Sequence, residues 1–131
     1  MSRSGASRAR ARVAAGLPRY TEEEAQLRRQ QARVRADRAK EQLTAELTAL
    51  KLQRGCADCG YRAHAEALDF DHLPGAVKIA GVTRMVSERR SRDAVMAEVA
   101  KCEVVCANCH RVRTATRRVP LQNAEAAPLS R

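Results

Sequence analysis

Three short stretches decide how this chain is read: Cys56-Ala57-Asp58-Cys59, Asp71-His72, and Cys106-Ala107-Asn108-Cys109-His110. Two C-x2-C pairs have the ligand spacing of a structural zinc site. A tight turn lets two sulfurs reach one ion, and two such turns complete a tetrahedron. Cys56 and Cys59 supply one turn, Cys106 and Cys109 the other. A zinc site by itself needs neither an Asp-His pair between the knuckles nor a His directly after the last Cys. Asp71, His72 and His110 therefore point to a second and different metal site. Carboxylate and imidazole ligands with open positions suit Mg, Mn, Ni or Zn. An unligated imidazole takes up a proton near neutral pH. Neighbouring residues on a strand face opposite ways, so Asp71 and His72 do not both reach one ion from an ideal strand. Two separate jobs are natural, with a local bend at the strand end to bring both near a substrate.

Composition narrows the setting. A chain of 131 residues holds one domain plus appendages. Only 2% of it is aromatic, with one Phe, two Tyr and no Trp. So few large side chains cannot build a big core, and small scaffolds of this kind need a staple. Five Cys is an odd number, and the basic N-terminus has no apolar leader. A reducing cytosol is expected, where Cys more often means metal than disulfide. No apolar run approaches the roughly 18 residues of a membrane span, so no membrane partner is expected. Cys102 is left over and reads as a buried small residue. His64 has no motif partner and reads as an ordinary surface residue.

The net charge is +10 and the pI about 10.3, which favours polyanions, most often nucleic acid. Residues 1–19 carry five Arg and no acid and show no periodicity. They read as a disordered basic arm, of the kind that orders on contact with phosphate. Arg111, Arg113, Arg117 and Arg118 crowd the last helical stretch. There they would add salt-sensitive, sequence-independent affinity by counterion release, or form a solvated helix face.

Residues 20–54 predict one long helix. Thr21 and Glu24 have capping-box spacing, and Glu22 to Glu24 suit the positive end of the helix dipole. No Gly or Pro follows until Gly55, a C-terminal stop. At 1.5 Å per residue the helix runs about 50 Å. Leu43, Leu47 and Leu50 form a stripe that packs onto the zinc domain; without sustained heptads it does not argue for a coiled-coil dimer. Monomer and dimer both stay open. Beyond Gly55, Ala67–His72 alternates as a short strand with Leu68 and Phe70 on its buried face, and Pro74-Gly75 turns. A short helix is expected around Thr83–Arg89. Ser91 caps a helix from Arg92 to Lys101 with Val95 and Val99 on one face. Glu103–Val105 is a strand, and residues 107–118 form a helix that begins inside the second knuckle. Residues 119–131 read as a flexible tail, with Pro120 as the stop.

Asp71-His72 on a strand, followed by Cys106-x-x-Cys109-His110 opening a helix, resembles the HNH endonuclease family in its zinc-containing form. The resemblance covers roughly residues 52–118. It implies an α+β fold, a small zinc-stapled ββα-metal domain, treble-clef-like, over 55–118; the long helix and the basic arm that precede it lie outside the resemblance. It implies hydrolysis of DNA phosphodiester bonds, with duplex DNA as a weakly sequence-specific partner. The setting it implies is a phage, a restriction system or a mobile element in a bacterial cell. By the same resemblance Asp71 and His110 would be ligands of a catalytic Mg2+, Mn2+ or Ni2+, and His72 the general base. Cys56, Cys59, Cys106 and Cys109 would hold the structural zinc. One position departs from the pattern. The family's middle Asn, five residues before the third Cys, is Lys101 here, and Asn108 is the nearest amide that could brace the site instead. That departure keeps an alternative in view, a non-catalytic zinc protein that binds nucleic acid on the same fold.

Overall fold

Glycines and caps set the element boundaries, and the apolar stripes between them set the packing. The structure is a computed structural model that describes residues 4–118, apart from the side chain of Arg118. The tail expected over 119–131 lies outside the described residues. The chain divides into two compact units, Met1–Ala39 and Lys40–Arg131.

In the first unit, helix α1 spans Gly5–Ala14. This corrects the expectation of a disordered arm where it covers residues 5–14; residues 1–3 lie outside the described residues. The run from Ala6 to Ala14 lacks Gly and Pro, and Ala and Arg are strong helix formers. Helix formation here rests on propensity, which an absent apolar period does not reveal. Gly16, at φ 73°, ends it in the left-handed region. Helix α2 spans Glu22–Arg54 and opens with the expected capping box: Thr21 N–H donates to Glu24 Oε2 at 2.8 Å, and Glu24 N–H to Thr21 Oγ1 at 3.1 Å. The Arg28 guanidinium lies 4.0 Å from the Tyr20 ring centre, a cation–π contact that covers the start of the helix.

In the second unit, α2 ends at Gly55, whose N–H bonds Lys51 O at 2.8 Å with φ at 66°. Strand β1 is Leu68–His72 and β2 is Cys102–Cys106. They pair antiparallel, with Leu68 opposite Cys106, Asp71 opposite Glu103 and His72 opposite Cys102. Between them lie α3, Val82–Ser87, and α4, Arg92–Val99. Helix α4 is capped as expected, Ser91 Oγ accepting from Ala94 N–H at 3.2 Å. Helix α5, Ala107–Arg118, follows β2 without a loop. The fold is therefore α+β, with a two-stranded antiparallel sheet.

The core is small and in two parts. Leu43 and Leu47 of α2 pack with Val82, Met85, Val95, Val99 and Cys102, and Leu50 borders them. The Leu stripe thus packs within this unit as expected. Cys56, Leu68, Val104, Val105 and Cys106 form the second cluster, and Phe70 borders both. Burial of each Leu or Val contributes about 1.5–3 kcal/mol. Eight buried Leu and Val residues in the two clusters leave a unit this size marginal, which is the physical case for a metal staple.

Candidate metal centre and its ionic surroundings

The four knuckle cysteines converge. Cys56, Cys59, Cys106 and Cys109 bring their sulfurs within 4.8 Å of one another, a cluster that could hold a metal ion. The chain places them by local rules. Gly55 turns out of α2 in a conformation where a Cβ would sit 3.2 Å from Arg62 Cβ and 3.3 Å from Tyr61 O. Cys56 N–H then bonds Tyr61 O, and Gly60 N–H bonds Cys56 O. Ala57 N–H reaches Val104 O at 2.8 Å, which ties the first knuckle to β2. The second knuckle is the junction of β2 with α5, where Cys109 N–H donates to Cys106 Sγ at 3.4 Å.

The donor set fits a tetrahedral dication. A metal–sulfur distance of about 2.3 Å puts the sulfurs about 3.8 Å apart, and Cys59 Sγ and Cys106 Sγ lie at 3.8 Å. Burial opposes ionisation of Cys56, yet the backbone N–H groups of Cys106, Cys59 and Asp58 bring its thiol down to about 6. The hydrogen bond to Cys106, and burial after it, push Cys109 up to about 12. One thiolate is thus readily formed, while the last proton leaves only against strong repulsion. A dication relieves that repulsion. Cys102 is not part of this cluster: it is buried, its Sγ faces Glu98 O at 3.4 Å, and burial pushes its thiol up to about 11.

Strand β1 carries two ionic clusters with different partners. Asp69 and Asp71 meet α5. His110 Nδ1 lies 3.1 Å from Asp69 Oδ2, and His110 Nε2 lies 3.6 Å from Asp71 Oδ1. Arg117 donates to both oxygens of Asp71 at 2.9 Å, and Arg113 to Oδ2 at 3.1 Å. Arg113 also donates to Asp58 and to Glu103. Asp71 is only 4% exposed. Burial works against its charge, but the guanidiniums of Arg117 and Arg113 hold the carboxyl below its ordinary value.

His72 instead meets α4. Its Nε2 lies 2.8 Å from Glu98 Oε1. Glu98 is fully buried, and it also accepts from Ile79 N–H at 3.0 Å and from Lys101 Nζ at 3.0 Å. Burial opposes its ionisation, yet these three donors bring the carboxyl down to about 2. An ionised carboxylate only accepts. His72 Nε2 is therefore the donor in this contact.

Of the residues singled out by sequence, the four cysteines come together, and Asp71 comes together with His110. His72 turns to a different partner, as strand alternation requires. Arg111 is exposed on α5, while Arg113 and Arg117 are engaged with acids. The side chain of Arg118 lies outside the described residues. His64 is exposed. Sequence reasoning missed Glu98, Asp69 and the carboxylate role of the two arginines. An acid at position 98, between Val95 and Val99 on the apolar face of α4, was the readable signal for the first. Among the described residues no helix is long and apolar enough to cross a membrane. Comparison with protein-family models, with characterised proteins and with solved structures finds no match.

Proposed function

We propose that this chain is a zinc-stapled, divalent-metal-dependent endonuclease of the HNH type that hydrolyses DNA phosphodiester bonds. The observation that carries the reading is the approach of His110 Nε2 to Asp71 Oδ1 at 3.6 Å, where β1 meets a helix anchored by the four-thiol cluster. Two ligand atoms each about 2.1 Å from one ion can stand that far apart.

In this reading Cys56, Cys59, Cys106 and Cys109 hold a structural zinc and fix α5 against the sheet. Asp71 and His110 hold the catalytic divalent cation. When bound, that ion supplies charge stabilisation to the scissile phosphate and its leaving oxygen. His72 takes the proton of the attacking water at Nδ1, because Glu98 accepts from Nε2–H and fixes the ring. Arg111 adds contact with the phosphate backbone of duplex DNA, with little sequence preference. Reduced thiols suit a cytoplasmic setting, as in a bacterial or phage-infected cell. The test is cleavage of supercoiled plasmid in Mg2+, Mn2+ or Ni2+. Nicked or linear product is expected from the wild type and not from His72→Ala. Zinc-loaded protein that cuts with none of these ions would overturn the reading.

Two observations favour a second reading, a non-catalytic zinc protein that binds nucleic acid. Both oxygens of Asp71 are held by Arg117, and Lys101, at the position of the family's Asn, pairs with Glu98. That reading expects salt-steep binding unaffected by Asp71→Asn or His72→Ala, and no cleavage.

A further inference from the structure

The segment that follows His72 is tied down in an unusual way. Leu73 N–H bonds Lys101 O at 2.9 Å, Val77 O accepts from Lys101 Nζ at 2.8 Å, and Ile79 N–H donates to Glu98 Oε1 at 3.0 Å. One turn at the end of α4 thus holds the loop at three points along seven residues. Two of those points use a charged pair whose acid is fully buried. Burying a charge is costly, and the side chains that this loop presents add nothing to the core. Val77 is 80% exposed and Ile79 66%. Exposed apolar residues scattered singly are ordinary. Two of them, one residue apart, on a loop whose backbone polar groups are pinned inward, form a fixed apolar tip.

Charge argues for the occupant. Lys78 stands between the two apolar residues, the chain carries a net charge of +10, and the loop begins directly after the candidate base. Apolar side chains that wedge between base steps, flanked by cations on the phosphates, are a known way of gripping a duplex. We propose that Val77 and Ile79 form an apolar wedge that enters a groove of duplex DNA, with Lys78 on an adjacent phosphate. This rests on the nucleic-acid reading above. Glu98 and Lys101 serve both the wedge and His72, so the grip on the duplex and the candidate cleavage site share one rigid mount.

The test is binding of a mixed-sequence DNA duplex, followed by anisotropy from about 50 to 200 mM salt, with a 2-aminopurine reporter in a parallel duplex. The double variant Val77→Ser/Ile79→Ser is expected to bind about tenfold more weakly. Its salt slope should not change, because apolar contacts release no counterions, and it should lose the rise in 2-aminopurine fluorescence that unstacking gives. Lys78→Ala is expected to flatten the salt slope by about 1. Both changes are at exposed positions, so an unchanged circular dichroism melt and metal content certify the fold. A double variant that binds within about twofold of the wild type would overturn the wedge. A wild type with no salt-dependent binding at all would remove the nucleic-acid reading and the wedge with it.

Discussion

The two sides of β1 treat charge in opposite ways. On the α4 side, His72, Glu98 and Lys101 form a closed set around a carboxylate that water does not reach. On the α5 side, Asp71 is buried, but two of the three groups around it reach solvent more freely: Arg117 is 40% exposed and His110 35%, with Arg113 at 19%. A dry set is rigid, because every partner is needed to compensate the buried charge. A wet set is exchangeable, because its cations can be screened or swapped for others. The strand thus offers a fixed imidazole on one side and a carboxylate open to competition on the other. Under the proposed function the fixed imidazole would serve as the base and the exchangeable carboxylate as the metal ligand.

The largest effect should come from removing what holds both sides in place. Cys106→Ser, or treatment with a strong chelator, is expected to unfold the second unit. Structural zinc in small domains is worth on the order of 10 kcal/mol. Loss of one zinc per chain together with the melting transition, followed by metal analysis and circular dichroism, is the check. A protein that keeps its melt without metal would detach the cysteines from the fold.

Glu98→Ala should be the next largest. It strands His72, Lys101 and the Ile79 N–H at once, and breaking a set of this kind lowers the melting temperature by roughly 10 °C or more. Arg117→Gln, on the α5 side, should shift it less, because Asp71 keeps Arg113 and His110 beside it and Arg117 itself reaches solvent. Near-equal shifts for the two variants would erase the contrast between the sides.

The contrast also has a pH signature. The folded-state pKa of Glu98 is lowered to about 2 from an ordinary value of 4.5. Its ionisation therefore contributes stability that is fully present above about pH 4.5 and is lost as pH falls towards 2. Relative to the wild type, Glu98→Gln should flatten the acid limb of stability in that window and change little above it. Urea melts of both proteins across the window measure the difference. Asp71 is shifted in the same direction, but salt should weaken its contribution first, because its guanidinium partners reach solvent.

The smallest effect concerns ion binding. Arg117→Gln frees an oxygen of Asp71, so Mn2+ should bind a few-fold more tightly in the absence of DNA, as read by electron paramagnetic resonance. Weaker binding would make Arg117 a helper of the metal site rather than its competitor.

Much of this architecture was legible in the chain. The spacing of the cysteines, the alternation around Phe70, the Ser91 cap and the Thr21–Glu24 box are local signals, and local rules decide local structure. Strand β1 and helix α5 fall where these signals put them. Helix α1 was not legible, because it carries no apolar stripe; its sequence shows only good helix formers, and its tie from Arg12 Nε to Pro18 O appears only in the fold. The partners of Asp71 were not legible either. Arg113 and Arg117 look like a solvated cationic face until β1 is set beside α5, and only that pairing turns them towards acids. Glu98 could have been suspected from its place between Val95 and Val99, but two of its partners, Ile79 N–H and His72, come from separate parts of the fold.

The central claim is that Asp71 and His72, adjacent in sequence, do different work on opposite sides of one strand. The most direct measurement is single-turnover plasmid cleavage across a Mn2+ titration, with Asp71→Asn, His72→Ala and the wild type compared alongside Mn2+ binding. The account expects His72→Ala to bind Mn2+ as the wild type does and to lose cleavage at every Mn2+ concentration. It expects Asp71→Asn to bind Mn2+ more weakly and to recover part of its cleavage as Mn2+ rises. Cleavage by His72→Ala at the wild-type rate, or an equal loss of Mn2+ binding in both variants, would contradict it.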